Sequence, residues 1–258
     1  MMDAHAFVTL DDVVTRLAAL ERRYLAARDR RAVFATVYGL MSREMKRRIE
    51  EGAFRDCDWV ARYTIAFANL YRDALDGYER GDRVPKSWAV AFETAKQQSE
   101  LVSQDLLLGI NAHVNHDLAL ALHHVSIEPD RAARHEDHTR VNELLRRLTD
   151  VVADRVSELY ARGLASVDAC AGTLDEEVTN FSFAVARENA WEAAVALTNA
   201  RGEIERGVVR RLLDLRSASM ARLILAPNRN PQILAACRAV EAGGWWEALA
   251  AAHSALRQ

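Results

Sequence analysis

Residues 101–125, LVSQDLLLGINAHVNHDLALALHHV, constrain the fold of this chain more than any other stretch. Wound as an α-helix, the segment places Leu107, Leu108, Ile110, Val114, Leu118, Leu120 and Leu122 on every side. A surface helix confines its apolar residues to one stripe, so a helix apolar all round is a buried one. The same segment holds His113, His116, Asp117, His123 and His124, which include four of the chain's eight histidines. At about 100° per residue, His113, Asp117 and His124 fall within roughly 40° of one another, with His116 and His123 along the flank. Buried ionisable groups are costly unless paired. The stripe therefore marks a candidate site.

Helical periodicity extends to both sides. Thr9, followed by Asp11 and Asp12, reads as an N-cap with first-turn acids, opening a helix with Val13, Leu17, Leu20 and Tyr24 on one face. A second helix at 31–51 carries Phe34, Val37, Tyr38, Met41 and Met45 and stops at Gly52. Asp58 is placed to cap a third, with Trp59, Tyr63, Phe67 and Leu70 at helical spacing and Gly81 at its end. Pro85 opens a fourth helix, bearing Trp88 and Phe92, which is read as running into the central segment with a kink near Gly109.

Beyond the loop at Glu128-Pro129-Asp130, a helix at 137–162 turns Val141, Leu144, Leu145, Leu148, Val152, Val156 and Leu159 toward a core. Gly172 and the capping box Thr173–Glu176 precede a helix with Phe183, Arg187, Ala190, Trp191 and Ala194 on one face. A helix through Val208, Leu212, Leu215 and Leu223 ends at Pro227, and a terminal helix or pair follows, broken at Gly243-Gly244 and carrying Trp245 and Trp246. No strand pattern, repeat or linker is evident. The expectation is one all-α domain over residues 1–258, a bundle of roughly eight or nine helices around a buried central helix at about 101–125.

The net charge of −3 and a pI near 6.3 give no basic footprint for nucleic acid. No apolar run is long enough for a membrane span. The opening MMDAHAFVTLDD lacks the basic-then-apolar pattern of a secretory signal. Cys57, Cys170 and Cys237 are scattered and odd in number. Together these features predict a cytoplasmic protein with free thiols. Adjacent Trp245 and Trp246 fit a pocket cover or a homo-oligomer contact equally well.

Histidine and aspartate at i and i+4 on one helix face are spaced to meet or to share a ligand, and His113 and Asp117 have that spacing. Imidazole and carboxylate are also the usual ligands of zinc and non-haem iron. His135, His138 and Asn142 follow in RHEDHTRVN, a charged stretch expected to be mostly solvated. Arg187 shares its face with Phe183 and Trp191 and should be buried. A buried arginine calls for a carboxylate, and Asp117 is the expected partner. Asn111 and Asn115 point away from the His113 face, toward neighbouring helices. No Walker-type loop, GxGxxG or GxSxG is present, which disfavours nucleotide, dinucleotide and serine-hydrolase chemistry.

The pattern H-x3-D with a further histidine at 123 or 124 resembles part of the motif of zinc-dependent phospholipase C and the S1/P1-type nucleases, with His138 and Asn142 as an extension. That family is all-α, but it uses an N-terminal tryptophan and an upstream Asp and His pair as further ligands, and this chain has neither. The stretches GINAHVNHDLALAL, RVNELL (Arg140–Leu145) and ARENAWEAAVAL (Ala186–Leu197) resemble a family of helical proteins, mainly actinobacterial, known only as a domain of unknown function. That resemblance implies the all-α fold and picks out Asn111, His113, Asp117, Leu118, Arg187, Ala190 and Trp191. It implies no activity.

Three functions fit these residues. The first is a small-molecule enzyme of hydrolase, lyase or cyclase type. In it His113 is general acid or base, Asp117 orients it, and Arg187 binds an anionic group or holds Asp117 ionised, with Asn111, His116 and Trp191 contacting substrate. The second is a mononuclear metalloenzyme with zinc, iron or manganese on His113, Asp117 and one further histidine out of His116, His124, His135 and His138. The third is a helical binding or scaffold protein whose polar stripe fixes packing.

Overall fold

The structure is a computed structural model and describes residues 6–98, 100–145 and 183–226, together with 235, 238 and 239. Among these residues all regular structure is helical, and the fold is all-α. The elements are α1 (Leu10–Ala26), α2 (Arg31–Glu50), α3 (Cys57–Arg80), α4 (Lys86–Gln97), α5 (Val102–Ala112), a π-helical turn (His113–Asp117) and α6 (Leu118–His124). There follow α7, helical over the described residues 131–145, then α8 (Phe183–Asn199) and α9 (Glu203–Ile224). No described helix is long and apolar enough to cross a membrane. The capping box at 173–176, the helix beyond 145, the second loop, the terminal tryptophans, Cys170 and Cys237 lie outside the described residues.

Local chemistry sets the helix ends. The Thr9 hydroxyl accepts from Asp12 N and the Asp12 carboxylate accepts from Thr9 N, closing a capping box on α1. Asp56, not Asp58, caps α3: its carboxylate accepts from Trp59 N at 2.8 Å. The N–H groups of Arg55 and Asp56 are in turn held by Asp137, which is wholly buried. Gly81 closes α3 in the left-handed region, with φ 79°.

The chain does not run unbroken from α4 into the central segment. Gln98 turns into the left-handed region (φ 53°), and α5 begins afresh where Gln104 accepts from Leu101 N. Gly109 serves close approach rather than a kink. A Cβ there would lie 2.6 Å from Cδ2 of Phe34, a ring packed against Tyr38, Tyr71, Trp88 and His113. Gly109→Ala should therefore destabilise by about 1–2 kcal/mol, since overpacking of about 1–3 kcal/mol outweighs a gain of up to about 1 kcal/mol in helix propensity. Urea denaturation checks this; a variant more stable than the wild type would refute it.

The central segment 102–124 is the shared wall of two core groups, as its all-round apolarity predicts. One group joins Leu17, Tyr24, Phe34, Tyr71, Trp88 and Leu108 from α1 to α5; the other joins Trp59, Tyr63, Leu118, Leu122, Val141 and Trp191 from α3 and α6 to α8. Phe67 and Ile110 touch both. The helix through Val208, Leu212 and Leu215 turns those residues outward. The middle of its inner face is small, with Ser217, Ala218 and Ala221 buried between Leu213 and Ile224, and α9 packs against α4 and α5.

Candidate functional site

The site begins with an irregularity of the backbone. Leu118 N donates to His113 O, five residues back, so the central helix widens by one residue at His113–Asp117. Such π turns are uncommon and recur at functional sites. On a regular α-helix adjacent side chains diverge; in this turn His113 and His116 both reach the Asp117 carboxylate.

Asp117 accepts three hydrogen bonds. Oδ2 takes Trp88 Nε1 at 2.8 Å and His113 Nδ1 at 3.0 Å, and Oδ1 takes His116 Nδ1 at 2.8 Å. Burial pushes the Asp117 carboxyl up, but the bonds from His113 and His116 outweigh it and hold the group below the usual carboxylate range. The ionised carboxylate only accepts. Both imidazoles therefore carry hydrogen on Nδ1.

For His113 the remaining nitrogen is the informative one. Burial holds the imidazole below its ordinary value despite the pull of Asp117, so the ring is neutral and Nε2 is a bare acceptor. That atom is fully buried and has no hydrogen-bond partner among the described residues. The ring lies flat on Phe67, centroids 3.5 Å apart at 5°, with Tyr38 edge-on at 4.5 Å and Phe34, Tyr71 and Trp88 beyond. A basic nitrogen in aromatic surroundings, with its ring fixed by a carboxylate, can take a proton from a reacting group and return it.

The other expected residues are not gathered here. Arg187 does not touch Asp117, whose carboxylate is held by Trp88 and the two imidazoles. Its side chain instead meets α7: Nε donates to Asn142 Oδ1 at 2.6 Å, and Nη2 donates to His138 O at 2.6 Å and to His138 Nδ1 at 3.2 Å. Trp191 stands against His135 and His138, not His113. Asn111 spends its amide on packing, donating to Ser217 O and accepting from Asn115.

His124 is exposed at the end of α6. The extra residue in the π turn rotates α6 by about 100° from a straight projection, which removes His124 from the His113 face. His123 Nδ1 lies 3.3 Å from the Thr198 hydroxyl. Among the described residues, no group of three or more His, Cys, Asp or Glu side chains is placed to hold a metal ion. The partial likeness to the phospholipase C motif therefore does not assemble in space: His138 is engaged with Arg187, and His123 and His124 stand apart.

Two participants escaped the sequence reading. His138 is buried, not solvated; its Nε2 donates to Arg187 O, and burial together with the Arg187 charge holds it well below its ordinary value. The signal was its phase, three residues before Val141 and seven before Leu145 on the inward face of α7. Trp88 was legible as core but not as the donor that fixes Asp117. His135 is half exposed and paired with Glu188 at 3.0 Å.

Comparison of the chain with curated proteins and with solved structures finds no match. The model of the Family of unknown function (DUF5995) matches residues 10–227, most of the chain, and the protein belongs to that family.

Proposed function

We propose that this protein is a small-molecule enzyme in which His113 is the general base and acid and Asp117 fixes its tautomer and orientation. The observation that carries the reading is the bare, buried Nε2 of His113. An unsatisfied acceptor costs about 1–3 kcal/mol, and here it is the atom that acid–base chemistry requires. His116, on the same carboxylate, is the second proton carrier. Hydrolysis, elimination and ring closure are all within reach of such a pair. The mildly acidic chain suits a cytoplasmic substrate of low molecular mass rather than nucleic acid. The metal-dependent reading takes second place because His113 and His116 both turn Nδ1 to Asp117, leaving no third described ligand beside them.

A structural reading draws on one observation, the tie from Trp88 on α4 to Asp117. Carbethoxylation of the folded protein by diethyl pyrocarbonate, followed by peptide mass spectrometry, separates the two. The enzymatic reading requires that reactants reach the buried His113 in the folded protein, so its bare Nε2 should react well before His138, whose two ring nitrogens are both engaged. If His113 is modified only on unfolding, no reactant reaches it and the enzymatic reading fails.

A further inference from the structure

The second polar cluster, between α7 and α8, is independent of the His113 site. Its centre is Arg187, 3% exposed, on the inward face of α8 with Ala186, Ala190 and Trp191. A guanidinium keeps its charge when buried, and arginines in such positions ordinarily face a carboxylate. Arg187 faces none among the described residues. Its three contacts are to neutral acceptors: the Asn142 amide oxygen, the His138 carbonyl and the His138 imidazole. His138 cannot supply charge of the right sign. Its Nε2 hydrogen is committed to Arg187 O, and burial and the guanidinium keep the ring neutral. The adjacent carboxylate, Glu188, is turned outward to His135 Nε2.

Five N–H groups leave a guanidinium in a fixed fork. Here Nε and both hydrogens of Nη2 are used, which locks the plane. Nη1, with two N–H groups, has no partner among the described residues. The side chain is thus oriented by neutral neighbours, and its charge faces no carboxylate among the described residues. A surface arginine has no need of such support, and a purely structural one would be met by an acid.

We propose that Arg187 anchors an oxyanion site between α7 and α8, which takes the carboxylate or phosphate group of a small molecule on Nη1. Asn142 and His138 act as positioning residues that hold the fork. His135 and Trp191, whose rings lie 4.8 Å apart, flank the cluster. A carboxylate or phosphate would accept both Nη1 hydrogens and offset the buried charge.

The test uses the full chain, with sodium phosphate and sodium acetate as probes and sodium chloride at equal ionic strength as reference. Binding is followed by calorimetry and by the Arg187 Nε–H and His138 ring signals in 15N NMR spectra. The expected result is saturable one-site binding of phosphate, acetate or both, above any chloride effect. It should be lost in Arg187→Gln and unchanged in Arg201→Gln, at an exposed arginine on the α8–α9 link. Saturation by phosphate alone or by acetate alone names the class. No saturable response, a response matched by chloride, or one that persists in Arg187→Gln overturns the proposal. If Arg187→Gln does not fold, the wild-type spectra decide: Arg187 and His138 signals that move together to a plateau support it, and signals that stay fixed overturn it.

Discussion

Replacing Asp117 by alanine is expected to lower the free energy of unfolding by about 3 kcal/mol or more, because a buried donor left without its acceptor costs about 1–3 kcal/mol. Three donors lose their acceptor together: Trp88 Nε1, His113 Nδ1 and His116 Nδ1. Each donor left without an acceptor in the core adds to the loss. Asp117→Asn should be milder and more informative. The indole N–H can only donate, so the new amide must turn its oxygen to Trp88, which keeps His113 bonded as well. The amide nitrogen then faces His116, whose Nδ1 must become the acceptor, leaving that ring's proton on Nε2. Urea titration of both variants and 15N NMR of the histidines check this. An Asp117→Ala protein within about 1 kcal/mol of wild type would show that the carboxylate does not organise the turn.

Acidification should destabilise the protein above the range in which ordinary carboxylates titrate. His113 and His138 are held neutral in the folded state, His113 by burial and His138 by burial and Arg187, while in the unfolded chain both titrate near the ordinary histidine value. Their contribution is fully present above about pH 6.5 and is lost as pH falls below it, because the unfolded chain then binds protons that the folded one refuses. While the folded ring stays neutral, each such histidine contributes a slope of up to about 1.4 kcal/mol per pH unit, so stability should fall as pH drops from about 7.5 toward about 5.5. Asp117 acts in a lower window. Its depressed folded value means that its stabilisation holds above about pH 4 and fades only below that. The urea midpoint across this range is the measurement. A midpoint that stays level or rises toward pH 5.5 contradicts neutral burial of both rings.

The fold was legible where local chemistry and periodicity agree. Thr9 with Asp12, Gly81 and Pro85 mark helix ends, and the apolar belt of the central segment demanded burial on all sides. The pairing of His113 with Asp117 followed from spacing alone. What stayed hidden depended on tertiary partners. Nothing in the letters HVNHD marks a widened turn, and a uniform 3.6-residue period misplaces everything after it, His124 included. Arg187 carries no sign in the sequence of which acceptors it meets, and the expected partner Asp117 is not among them. His138 was masked by the charged residues around it, although its phase with Val141 and Leu145 pointed inward. Asp137 lay in the same charged run, and its role at the start of α3, 81 and 82 residues away, had no local cue.

The widened turn also governs how chains of this family should be compared. A relative one residue shorter between positions 113 and 117 could retain every apolar position of α5 and α6 and align with a single gap. It would restore the ordinary winding, and its carboxylate would meet one imidazole in place of two. Segment length across these five positions, more than identity at any one of them, then separates chains that carry the proton-bearing cluster from those that keep only the buried helix.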